Sequence, residues 1–176
     1  QAAYEADVPV LVHAEDSWMQ DAIDELTTEM MQRFNTRRAL VYNTVQLYRH
    51  DRLAFLRRHL EAAKSGNYHL GVKLVRGAYM EKERARAEEK GYPSPIGANK
   101  AAVDFDFDEA LRFCTEHIER TACLAGTHNE ASTLLLARLM AEAGLAKNDA
   151  RVNFGQLLGM SDNISFNMAA AGYNVV

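Results

Sequence analysis

The sequence predicts an α/β protein whose strands run parallel. Short apolar, β-branched runs alternate strictly with amphipathic helical stretches, an order that calls for parallel pairing and right-handed crossovers. Those runs are apolar at successive positions rather than at every second one, as in strands covered on both faces. Size adds a third observation. The 176 residues, 48% hydrophobic and 25% charged, suit one good core and are short for two.

The opening QAAYEADVPV carries no signal-peptide pattern and reads as the tail of a helix entering a strand. Strands are expected at Pro9 to His13, Leu40 to Leu47, Leu70 to Val75, Ala122 to Thr127 and Val152 to Leu157, with Tyr173 to Val176 opening a sixth. Between the first two, Ser17-Trp18-Met19-Gln20 has the spacing of a capping box, with Ser17 as N-cap and Gln20 reaching back, ahead of Ala22, Ile23, Leu26, Met30 and Phe34. Asp51 opens the next helix, which carries Leu53, Phe55, Leu56 and Leu60 and ends at Gly66. Glu81 to Lys90 is almost entirely charged and reads as a solvated surface helix. Gly91-Tyr92-Pro93-Ser94-Pro95 is a loop. Asp104 or Asp106 leads into Ala110, Leu111, Phe113 and Ile118; Asn129 leads into a helix that stops at Gly144; Ser161 caps the last, which ends near Gly172.

Composition excludes several functions. Twenty Lys and Arg against 24 Asp and Glu leave a net charge of −4, with no basic block to follow a phosphate backbone, so no nucleic acid partner is expected. Cys114 and Cys123 are too few for a disulfide framework or a zinc site. No apolar run approaches the length of about 18 residues that a membrane span needs.

Two architectures fit a strict β-α-β order. A closed (β/α)₈ barrel takes about 250 residues, and this chain supplies five or six of its eight units. A doubly wound open sheet fits the length better, but its first strand-to-helix turn should hold a glycine-rich phosphate loop. Here that turn reads His13-Ala14-Glu15-Asp16, without glycine. Length favours the open sheet, and the turns favour the barrel.

Polar residues collect where the strands end: His13 and Glu15, Gln46 and Tyr48, Arg76 and Tyr79, His128 and Asn129, and Gln156. In parallel α/β folds ligands bind at that edge. One polar residue at a strand end is ordinarily a satisfied group at the edge of the core, whereas five strand ends in succession describe a site. Lys73 is a separate signal, because Gly71-Val72-Lys73-Leu74-Val75 is a strand that should admit no unpaired charge. A lysine there should face an anion or an electron-rich ligand. With no Ser/His/Asp set and no metal-ligand spacing, the pattern points to a bound organic cofactor that performs the chemistry.

The segment Lys73-Leu74-Val75-Arg76-Gly77-Ala78-Tyr79, followed by Glu83-Arg84, closely resembles the signature strand of the proline dehydrogenase family. Gln46-Leu47-Tyr48, Thr127-His128-Asn129-Glu130 and Phe154-Gly155-Gln156-Leu157-Leu158-Gly159-Met160 resemble that family in the same order. The resemblance, which includes the proline dehydrogenase domain of proline utilisation A, implies a flavin-dependent (β/α)₈ TIM-like barrel. Of that barrel, residues 1–176 would form a single segment, covering about the third to seventh strands and the start of the eighth.

The activity implied is FAD-dependent oxidation of L-proline to Δ1-pyrroline-5-carboxylate, by hydride transfer from C5 to the flavin N5. Electrons would pass to a quinone, with the protein peripheral at a membrane. Its location would be the bacterial cytoplasm or inner membrane, or the mitochondrion in a eukaryote. By matched position, Ala14, Gln46, Lys73, Val75, Arg76, Gly77, His128 and Asn129 resemble FAD contacts, with Lys73 and Gln46 at the ring. Asn99 and Lys100 fall where the rest of the dinucleotide is held, and Tyr79 and Leu157 match the lining of the proline pocket. Lys73, His13 and Tyr79 are the residues expected to bear on catalysis. His13 departs from the family, which has an Asp there. The segment by itself is expected to be inactive, since the paired arginines that hold the substrate carboxylate in the family have no counterpart here. The alternative is a catalytically inactive barrel segment of the same ancestry acting as a binding or structural unit.

Overall fold

The computed structural model describes all 176 residues. Its elements, in order, are α1 (Ala2–Glu5), β1 (Val10–Val12), α2 (Ser17–Phe34), β2 (Val41–Gln46), α3 (Arg52–Ser65), β3 (Leu70–Val75), α4 (Met80–Lys90), α5 (Lys100–Glu116), β4 (Thr121–Gly126), α6 (Glu130–Glu142), β5 (Val152–Gly155) and α7 (Asp162–Ala170). Each strand pairs in parallel with the next in the chain, giving one sheet in the order β1-β2-β3-β4-β5. That order agrees better with one of the two architectures left open by length. A doubly wound sheet reverses at a switch point, whereas a barrel wall adds each strand on the same side. The five strands form a curled half-barrel. Tyr173 to Val176 continues it only as far as one parallel bridge, between Val175 and Phe154.

The core lies between the sheet and its helices. Val45, Leu70, Val72, Leu74, Cys123, Val152 and Phe154 point to that side and meet Leu56, Leu60, Phe107, Leu111, Leu136 and Met140. Full burial of one such side chain contributes about 1.5–3 kcal/mol. Two polar knots tie the layers. Asn35, fully buried, donates to Val41 O and His69 O and accepts from Leu40 N and Val41 N, which fixes the amino ends of β2 and β3. Asp24 of α2 accepts from Gln20 Nε2, Asn43 Nδ2 and Arg52 at 2.7–2.8 Å, joining α2, β2 and α3. No helix is long and apolar enough to cross a membrane.

Several local expectations are corrected. The capping box does not form: Asp16 is the N-cap of α2, and Ser17 turns to Glu83 instead. Gln20 does reach back, but to Glu15 N at 2.9 Å. Gly66 ends α3 with an ordinary right-handed φ of −84°, and Asn67 takes the left-handed position at φ 52°. Glycine is needed at 66 for room, since a Cβ would sit 2.9 Å from the Tyr68 ring. Helix α5 starts at Lys100, ahead of Asp104 and Asp106, because the Asn99 side chain accepts from Ala102 N and caps it. Asn129 caps α6 as expected, through Ser132 N. Ser161 precedes α7 without a side-chain capping bond. Helix α4 is not a uniformly solvated helix, since Glu83 and Ala87 on it are buried.

Candidate active site

Strand alternation divides each strand between two faces. With Leu70, Val72 and Leu74 turned to the helices, Gly71, Lys73 and Val75 lie on the other, concave face. Register then builds rows across that face. Lys73 stands between Thr44 and Leu124, and Leu124 is beside Asn153. One step toward the carboxyl ends, Val75 stands between Gln46 and Gly126, with Gly155 beyond. Such layers are what the inside of a parallel barrel wall presents.

Lys73 is the anomaly in these rows. It is half-buried, and no carboxylate or hydrogen-bond acceptor engages its ammonium. Burial holds its pKa below the usual lysine range. Gly126 leaves room for the Val75 side chain, which a Cβ would approach to 3.0 Å, and lies in contact range of the Lys73 stem. A desolvated cation with no protein partner fits an electron-rich or anionic ligand on this face.

The residues predicted for the site gather at the same rim. His13 is exposed and Ala14 half-buried in the loop after β1. Gln46, buried, donates from Nε2 to Glu15 O at 2.8 Å and so holds that loop. Gly77 needs to be glycine twice over, for its φ of +136° and for the Tyr48 ring, which a Cβ would approach to 2.6 Å. Burial, with the Glu83 carboxylate adding to it, pushes the Tyr48 hydroxyl up to about 12. Tyr79 is half-buried at the start of α4. His128 Nδ1 lies 3.0 Å from Ser161 Oγ, and Leu157 is exposed on the loop into α7.

Three predicted residues are engaged elsewhere. The Arg76 guanidinium turns to the helix layer, where it donates to Asp104, Thr127 and Ser132 at 2.7–3.0 Å and lies 4.4 Å over the Phe107 ring. A contact from Arg76 to a ligand on the concave face therefore falls to its backbone. Lys100 is paired with Asp104, and the Asn99 oxygen is used as a cap. Lys100 first, then Arg76, holds the Asp104 carboxyl below its ordinary range, against the opposing effect of burial.

Sequence reasoning missed Thr44 and Asn153 on the lysine's own row, and took Glu83 only as part of the family motif, not as a buried residue beneath the loops. Counting back two from Gln46 would have found Thr44. For its burial the signal was the i,i+4 spacing of Glu83 to Ala87, which puts an apolar residue on the same face of a largely charged helix. A cavity of about 340 Å³ lies at the opposite end of the strands, lined by Tyr4, Asp7, Phe34, Arg37, Arg38 and Leu40. It contains the Arg38–Asp7 ion pair and lies away from the row of Lys73. In a parallel barrel that end serves stability.

The proline dehydrogenase family model matches residues 1–176. Mitochondrial proline dehydrogenase 1 of Homo sapiens is 40% identical over 176 residues, covering 98% of this chain and 29% of the human protein. That of Drosophila melanogaster is 36% identical over 184 residues, covering 99% and 27%. The hydroxyproline dehydrogenase of Xenopus laevis is 39% identical over 172 residues, covering 96% and 37%. The chain thus spans roughly a third of the length of these relatives. Among solved structures, proline utilization A of Bdellovibrio bacteriovorus superposes with a TM-score of 0.91 at 23% identity, over 98% of this chain and 18% of that one. A variant of the Bradyrhizobium japonicum protein gives 0.81 at 23%, with the same coverage. These two likenesses establish the fold alone.

Proposed function

The chain belongs to the proline dehydrogenase family, and from that premise we propose that it carries the cofactor-facing wall of an FAD-dependent enzyme that oxidises L-proline to Δ1-pyrroline-5-carboxylate. The observation that carries this is Lys73, an unpaired, desolvated cation on an otherwise neutral concave row. The bound flavin would supply the two-electron acceptor that these side chains lack.

The residues of the chain bind and orient. Lys73 offers positive charge to the ring, and Gln46 a buried amide beside it. Ala14, Val75 and Gly77 give small or apolar contacts, and His128 with Asn129 closes the same rim. Asn99 and Lys100, at the start of α5, are suited to the more polar remainder of the dinucleotide, as helix N-termini favour anionic groups. Tyr79 and Leu157 shape the proline pocket. His13 is exposed at the loop where the resemblance has an Asp, and acts there as a hydrogen-bonding group. Alignment of substrate and cofactor, rather than a proton-transferring side chain, provides the rate. The reading includes a quinone as the final acceptor, at a membrane surface. The names of the eukaryotic relatives suggest a mitochondrial location.

The test is the visible spectrum of the purified full-length protein, since residues 1–176 by themselves are expected to be inactive. Flavin bands that bleach on anaerobic addition of L-proline are expected. A colourless protein, or one that takes up no FAD, contradicts the reading. The second reading, a chain that binds without turning over, rests on His13; flavin bands that proline leaves unbleached would support it.

A further inference from the structure

Glu83 is completely buried on a helix whose other charged residues are exposed or half-buried. Its two oxygens both serve one residue of another element. Oε1 accepts from Ser17 N at 2.5 Å and Oε2 from Ser17 Oγ at 2.7 Å, across 66 positions of sequence. Ser17 is the first residue of α2, and the Asp16 side chain makes no capping bond to that helix. Glu83 therefore caps α2 from outside, with its negative charge at the positive end of the helix.

The tie crosses the sheet. Helix α4 leaves β3 and α2 leaves β1, with β2 between them. The contact thus spans the carboxyl end of β2, where Gln46 holds Glu15 O. Lys82 repeats the tie with Asp16 at 2.6 Å, and Arg86 lies 4.1 Å over the Trp18 ring. If α4 served only to cover α2, an apolar residue would do so without the cost of burying a carboxylate. A carboxylate with two bonds to one residue instead fixes direction and register.

We infer that Glu83 is a positioning residue for the active site. It pins the loop His13 to Asp16 to the start of α4, and so sets His13 and Ala14 of that loop against Tyr79. This rests on the function proposed above, but its first test does not. Hydrogen exchange on the purified protein is measured without proline. In Glu83→Ala, amides of residues 15–19 should exchange at least about tenfold faster, the loss expected for charge-assisted bonds. Glu83→Gln, which can still accept from Ser17 N and donate to Ser17 Oγ, should stay within about twofold of the parent. If the alanine variant does not fold, Ser17→Ala, which deletes one of the two bonds, should show the same local loosening at smaller size.

The second readout is kcat/KM for proline in the full-length protein, which should fall at least about tenfold in Glu83→Ala and return in Glu83→Gln. Unchanged exchange at 15–19, or loosening spread equally to β4, would overturn the inference. So would full activity in a variant whose loop has loosened. A parent protein that binds no flavin would instead refute the proposed function, and the exchange comparison would still decide the role of Glu83.

Discussion

Arg52 and Lys73 are cations of neighbouring β/α units, and their surroundings are opposite. Arg52 is buried, bonded to Asp24 at 2.8 Å and Asp51 at 2.7 Å, and lies 4.4 Å over the Phe55 ring. Lys73 sits mid-strand between Thr44 and Leu124 with no such partner. A satisfied buried cation serves the fold. An unsatisfied one costs stability, and its presence is accounted for by something the fold does not contain.

The largest effect should come from breaking the satisfied cation. Asp24→Ala removes the more buried of the two carboxylate partners of Arg52 and an acceptor of Gln20 and Asn43. Arg52 keeps Asp51, but a charge-assisted bond is lost and the buried amides of Gln20 and Asn43 lose an acceptor, each at about 1–3 kcal/mol, a sizeable part of the 5–15 kcal/mol that is usual for a domain. Denaturant unfolding measures it. A loss below about 1 kcal/mol, in the range of a surface ion pair, would show that the knot is not what joins α2, β2 and α3.

The same contrast has two signs in pH. Burial alone would raise the Asp51 carboxyl, but Arg52 and Arg49 overcome it and hold it at about 2 against an ordinary 3.8. Its contribution is present above the unfolded value and is lost as pH falls from about 4 toward 2. The stability difference between the parent and Asp51→Asn should shrink across that window. Lys73 works the other way. Burial lowers its folded pKa from 10.5, so the unfolded state holds the proton more tightly. Stability therefore rises with pH between the folded value and 10.5, and that rise should vanish in Lys73→Met. A persisting rise would assign it to another group.

The smallest effect should come from a buried polar atom that serves neither purpose. The Tyr68 hydroxyl is buried without a hydrogen-bond partner. Tyr68→Phe should be neutral or stabilising by up to about 1 kcal/mol. A loss above that would reveal a bond to ordered water.

What could be read in the sequence divides along the same line. The strands of the core were legible because burial on both faces writes a continuous apolar run, as in Leu70 to Val75. The rim was legible because polar residues ending such runs stand out, and Lys73 most of all. The order of the strands came only with the family resemblance, since nothing local in a β-α-β pattern says on which side the next strand adds. Long-range satisfaction was hidden for the same reason. Ser17 has the local spacing of an N-cap, yet its bonds go to Glu83, and Arg76, which looks like a rim residue, turns to Asp104, Thr127 and Ser132. Such pairings depend on which loops meet, and only the folded chain decides that.

The most direct test measures melting temperature and flavin binding on one pair of samples, the parent protein and Lys73→Met. A cation held for a ligand should cost the fold nothing when removed. The expected result is a melting temperature equal to or above the parent's, together with weaker flavin retention or a lower midpoint potential of the bound flavin, since positive charge beside the ring favours its reduced form. A melting temperature lower by several degrees, with flavin content and potential unchanged, would show Lys73 to be part of the fold and contradict the site built on it.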